Sequence, residues 1–136
     1  MTTAVLSFFG VVIGASLQYV FTRYLESQRH HRELRTQAYL DFLKYVSELA
    51  HLNDPSDSQN RDLLAKTTDA KAPICLYGSG EVVRAFAVFE RRGAIVKSIP
   101  QREAFVNMVS AMRRDSGSPS GSRVEDLEAI LLGNRD

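Results

Sequence analysis

The chain has 136 residues and a formal net charge of +1, a length that suits one hydrophobic core and leaves no room for a second. With 44% hydrophobic residues, 24% charged residues and four prolines, the composition excludes a disordered chain. Its near-neutral balance argues against a general nucleic-acid binder, which would show a basic stripe. The single cysteine, Cys75, excludes an intramolecular disulfide and any CxxC redox or zinc motif. Its place in the apolar run Ile74-Cys75-Leu76-Tyr77 predicts a buried core thiol.

The average charge hides an asymmetry. The first 22 residues carry no charged side chain, and residues 4–21, AVLSFFGVVIGASLQYVF, form an 18-residue apolar stretch. With the uncharged residues beside it, this stretch approaches the ~20 residues that cross a hydrocarbon core. Tyr19 and Tyr24 lie near its C-terminal end, where aromatic rings favour the headgroup layer. A cleaved signal peptide would carry a positive start, and Met1-Thr2-Thr3 has none. A soluble domain of this size rarely hides a helix that is apolar on every side. A transmembrane helix is therefore the reading, with residues 1–25 as the anchor and 26–136 as a helical domain. No Lys or Arg precedes the span, whereas Arg23, Arg29, Arg32 and Arg35 follow it. The positive-inside rule then puts the N-terminus outside and the remainder in the cytoplasm, at a cell inner membrane. These four arginines are the candidate lipid-headgroup collar, at about 1 kcal/mol per basic residue near an anionic surface, offset by Glu26 and Glu33.

One face of the span is distinct. At 100° per residue, Ser7, Gly10, Gly14 and Gln18 fall within an arc of about 80°. Gly10 and Gly14 form a GxxxG pair that lets two helix backbones approach, while Ser7 and Gln18 offer hydrogen bonds across such a contact. These four residues are the candidate surface for self-association.

No glycine or proline interrupts residues 15–53, which predicts one long helix from the membrane to about Leu52. Its later apolar stripe, Tyr39, Phe42, Leu43, Val46, Leu49 and Ala50, follows helical spacing and should dock the other helices. The polar cluster ending at Pro55 should close it. A second helix should start near Ser56 or Asp57, carry Leu63, Leu64, Ala65, Ala70 and Ala72, and be kinked or divided by Pro73. Gly78 is a natural C-cap. Ser79 can cap a third helix, with Glu81 in its first turn and an apolar face from Val82, Val83, Ala85, Phe86, Val88 and Phe89. Gly93 should end it. Ser98, Ile99 and Pro100 announce a fourth helix bearing Phe105, Val106, Met108, Val109 and Met112. Residues 116–121 read as a flexible loop, and Ser122 with Glu125 as a capping box for a last short helix closed by Gly133. The fold expected is all-α: a transmembrane helix continuing into a small cytoplasmic helical bundle.

The search for chemistry yields little. His30 and His31 are adjacent and point about 100° apart on a helix, so they do not readily share a metal, although Glu26 and His30 have pairing distance along the chain. Gly78-Ser79-Gly80 resembles a piece of a phosphate loop without its spacing, and reads as a turn. Asp126 and Glu128 on the last helix, and Asp54 and Asp57 at a turn, suit capping and solvation rather than acid–base work. Arg91-Arg92 and Arg113-Arg114 fall at helix C-termini, where cations favour the dipole, and offer a small anionic ligand a place to converge. No catalytic residue, metal site or cofactor is expected, and the chain reads as a non-enzyme.

The stretches GVVIGASLQY, RHHRELRTQAYLDFLKYV, ICLYGSGEVVRAF and AFVNMVSAMRRDSG together resemble a loose group of short, mostly uncharacterised bacterial or phage membrane-anchored helical proteins. The resemblance spans most of the chain and implies architecture and origin rather than activity. Some antiviral effectors pair a short membrane segment with a small sensing domain in a similar order. Two functions follow as expectations. One is a membrane-tethered interaction module that self-associates through its span and binds a protein through its bundle. The other is an oligomeric pore-forming or membrane-disrupting effector gated by the cytoplasmic domain. The partners expected are membrane lipid, further copies of the chain, and a protein or small anionic ligand at the bundle.

Overall fold

The computed structural model describes residues 1–50 and 58–133, and all regular structure among them is helical. In chain order the elements are α1 (Thr2–Ala50), α2 (Ser58–Asp69), α3 (Lys71–Tyr77), α4 (Gly80–Arg91), α5 (Ile99–Asp115) and α6 (Val124–Leu132). This is the all-helical architecture expected, a long apolar N-terminal helix followed by a small bundle. The expected stop at residues 51–55 and the expected start at Ser56 or Asp57 lie outside the described residues, as do the turn acids Asp54 and Asp57.

Two compact units divide the chain, Met1–Glu33 and Leu34–Asp136. The second begins with Leu34, the first half-buried side chain, whereas the expected division at residue 25 marked the end of the apolar run. In the first unit every side chain is exposed. It includes a stretch long and apolar enough, by length and composition, to cross a membrane, a property that signal sequences share.

The second unit holds the core. Burial there follows the helical period from α1 onward: Ala38, Tyr39 and Phe42 turn inward, with Leu43, Tyr45 and Val46 packed at the margin. The side chain of Ala50, also expected on this stripe, lies outside the described set. Phe42 is 1% exposed and meets the Phe86 ring edge-on at 5.0 Å. Burying such a side chain contributes about 1.5–3 kcal/mol, and the edge-on pairing adds to it. α5 is the central element, burying Ala104, Phe105, Val106, Met108, Val109, Ala111 and Met112. α4 lays Val82, Phe86 and Phe89 against it, and Phe89 packs on Phe105 at 5.4 Å.

The helix limits have local causes. Pro73 divides the second helical region as expected, but the break falls at Ala70, which puts proline in the first turn of α3, where its missing N–H costs nothing. Gly78 does end α3, for a reason other than a left-handed cap. Its φ is −64°, and a Cβ there would lie 2.5 Å from the Ile74 carbonyl oxygen, so the position demands glycine by space. Ser79 caps α4 by accepting from the Val82 N–H at 3.3 Å. α4 closes through Gly93, whose φ of +97° suits glycine. At α5 the Gln101 side chain reaches back to accept from the Ser98 N–H at 3.0 Å, a capping-box bond.

Four expectations are corrected. Cys75 is exposed, because Ile74 takes the inward position and the next two residues of α3 turn outward. On α2 and α3, Leu64, Ala65 and Ala72 are exposed, and only Ala70 of the five apolar residues expected there is buried. Among the described side chains of α2 the buried ones are the polar Asn60 and Thr67, and the Thr67 hydroxyl donates to the Leu63 carbonyl at 2.8 Å. The Ser122–Glu125 capping box is absent. α6 starts one residue late, with Arg123 as N-cap and no side-chain cap bond, so Ser122 lies outside the first turn. Finally, Glu128 is not a merely solvated acid but a partner of Arg102, as described below.

Candidate functional site

Three features of the described residues bear on function: the exposed N-terminal helix face, the polar clasps of the bundle, and one groove.

On the helix face, Gly10 and Gly14 have nothing within 4 Å of where a Cβ would stand. A second backbone has room to approach there. The Ser7 hydroxyl donates to the Thr3 carbonyl at 2.9 Å, and Ser16 does the same to Val12 at 2.8 Å. Both hydroxyls are thereby satisfied within the helix, which leaves Gln18 as the polar group of this face without an internal bond among the described residues. Large apolar side chains surround it, with Leu6, Phe8, Val11 and Leu17 each about two-thirds exposed or more. Of the four collar arginines, Arg23 stands over the Tyr19 ring at 5.8 Å, and Arg29 and Arg32 are exposed. Arg35 is committed elsewhere.

Arg35 donates to Asp115 Oδ1 at 2.7 Å, and Tyr39 donates its phenol proton to Oδ2 of the same carboxylate. Asp115 is the last residue of α5, so this clasp ties α1 to the end of the central helix. Burial first, and then the neighbouring carboxylate, push the Tyr39 phenol far above its ordinary range. No sequence signal announces the clasp, because its members are 80 and 76 residues apart. A second clasp joins α5 to α6: Arg102 donates to Glu128 at 3.0 Å and to the Gly133 carbonyl at 2.9 Å. Lys71 and Glu90 join α3 to α4 at 2.7 Å.

Two of the four arginines expected to offer an anion site are engaged within the bundle. Arg114 is bonded to Glu81 in the first turn of α4, and Arg92 donates to the Pro100 carbonyl at 2.7 Å. The Gly78-Ser79-Gly80 turn spends its hydroxyl on the α4 cap. Among the described residues no group of three or more His, Cys, Asp or Glu gathers as a metal site. His30 and His31 are exposed.

The groove lies wholly within the second unit and encloses about 440 Å³. Leu34, Ala38 and Tyr45 of α1 form one wall with Gln37 and Asp41, and Ala70, Pro73 and Tyr77 face them with Lys66 and Asp69. Lys66 is held by Asp62 at 2.8 Å, a pairing that raises its pKa. None of its α1 residues belongs to the apolar stripe expected from the sequence, and its two walls come from segments about 30 residues apart, so no local pattern announces it. Comparison with protein-family models, curated proteins and solved structures finds no match to this chain.

Proposed function

We propose that the chain is a non-enzymatic interaction module tethered to a cell inner membrane, with its N-terminus outside and its bundle in the cytoplasm. Copies associate through the face of Ser7, Gly10, Gly14 and Gln18, and the bundle engages a protein partner. The observation that carries this reading is the contrast within α1: a charge-free apolar stretch exposed on all sides, followed by a stretch with a single buried face. An apolar surface this continuous calls for lipid or protein around it. The open space at Gly10 and Gly14 supports close helix pairing.

The test begins with membrane fractionation of the intact chain and the mass of the mature product. Recovery of the full-length chain in the detergent-extractable membrane fraction is expected. Recovery in the aqueous fraction, or loss of the first 20 or so residues by cleavage, would sink the tether. Cross-linking in nanodiscs then compares wild type with Gly10→Ile/Gly14→Ile, which should lose most of the oligomer. Unchanged cross-linking would exclude this face. A pore lined by the same face is the weaker alternative, because Ser7 already spends its hydroxyl inside the helix. Dye leakage from liposomes that hold the oligomer separates the two.

A further inference from the structure

We infer that the groove between α1 and α2–α3 is a docking surface for a basic amphipathic helix of a partner protein. The inference rests on the proposal that the bundle binds a protein, and it assigns that partner's place and chemistry.

The shape argues for a helix. The α1 wall runs from Leu34 through Gln37, Ala38 and Asp41 to Tyr45, and the opposite wall from Lys66 through Asp69, Ala70 and Pro73 to Tyr77. The α1 wall is a single helical i, i+3, i+4, i+7 progression about 16 Å long at 1.5 Å per residue, and the facing wall runs from the end of α2 into α3. A groove of that length with alanines and a proline at its floor accepts about three turns of an apolar-faced helix.

The charge argues for a basic one. Asp41 and Asp69 stand on opposite walls. Asp41 accepts one bond from Gln37 at 2.8 Å, and among the described residues neither carboxylate has an ion-pair partner. Asp69 closes α2 and directly precedes Ala70, the N-cap of α3, so it lies between the end of one helix and the start of the next. The one lining cation, Lys66, is paired with Asp62, and Glu48 adds further negative potential around it. Tyr45 and Tyr77 also line the groove, and aromatic side chains of this kind attract Lys and Arg heads. An anionic partner would meet two unpaired carboxylates, whereas a basic helix would neutralise both while covering the apolar floor.

The test is a titration of full-length protein in phosphatidylcholine nanodiscs, whose neutral headgroups do not attract the probe. The probe is a fluorescein-labelled 14-residue Ala/Leu helix carrying three lysines, and its counterpart carries three glutamates. Saturable anisotropy is expected for the lysine helix alone. Asp41→Asn/Asp69→Asn should weaken it at least tenfold, and so should Gln37→Lys, an exposed change that leaves the core untouched and sets a cation beside Asp41. Equal binding of both helices, or wild-type binding by both variants with their helical circular dichroism intact, would overturn the inference. So would displacement of the lysine helix by an equal concentration of spermidine, which would assign the groove to a small polyamine. Cross-linking the same nanodiscs keeps the two ideas apart: an oligomer that ignores the probe sinks the groove, and a monomer that binds it sinks the self-association.

Discussion

Residues 2–33 and 34–50 belong to one helix, yet the two halves solve opposite problems. In the first, residues 4–21 form a charge-free, mostly apolar stretch and no side chain is buried; in the second, the apolar residues turn one face inward and Phe42 is almost fully enclosed. Similar residue types thus serve a solvent-facing role in one half and a core role in the other. The difference is periodicity: a stripe about 100° wide docks on a bundle, whereas an unbroken apolar cylinder finds no single partner surface. α6 makes the same point on a smaller scale, since its Ile130 is 80% exposed despite an apolar sequence.

That contrast breaks most strongly at Phe42. Phe42→Ala should destabilise the second unit by about 3–5 kcal/mol in denaturant titrations and leave membrane partition unchanged, whereas Phe8→Ala should leave bundle stability within about 0.5 kcal/mol. In the other direction, Ile13→Arg should cost membrane insertion about 3 kcal/mol, read as a shift into the aqueous fraction, with an unaltered melting curve for the bundle.

The Asp115 clasp gives the next effect. Asp115→Ala removes the acceptor for both Arg35 and Tyr39 and should cost about 2–3 kcal/mol, since the two charges are only partly buried. The same clasp predicts alkaline sensitivity. The Tyr39 phenol loses its proton at higher pH in the folded chain than in the unfolded one, so the folded state retains that proton longer. Its stabilising contribution is complete below about pH 10 and is lost as the pH rises from there toward the folded value. Tyr39→Phe should remove that part of the alkaline loss in pH-dependent unfolding. Smallest is the α4 cap, where Ser79→Ala should lower stability by about 1 kcal/mol.

The legibility of these features in sequence tracks their range. The long helix, the Pro73 division, the Ser79 cap, the α5 core and most of the α4 face are readable because each is set by neighbours within a turn or two, although Val88 of the expected α4 face is exposed. Ser98 and Gln101 carried a readable capping signal that was passed over. Cys75 was misread because a four-residue apolar run does not reveal which member faces inward. Arg35 looked like one more collar cation, since nothing local distinguishes it from Arg29 or Arg32. The groove and the Arg102–Glu128 clasp depend on helices meeting in three dimensions, and no spacing rule encodes them.

The separation of Arg35 from Asp115 also has a meaning in time. Translation reaches the acid 80 residues after the arginine, so at about 5–20 residues per second roughly 4–16 s pass before the pair can meet. Throughout that interval the apolar stretch of residues 4–21 is already made while the bundle that encloses Phe42 has yet to acquire a finished core. The order of synthesis therefore leaves the two stretches of α1 in different states, one complete in itself and the other still waiting for the central helix that covers it.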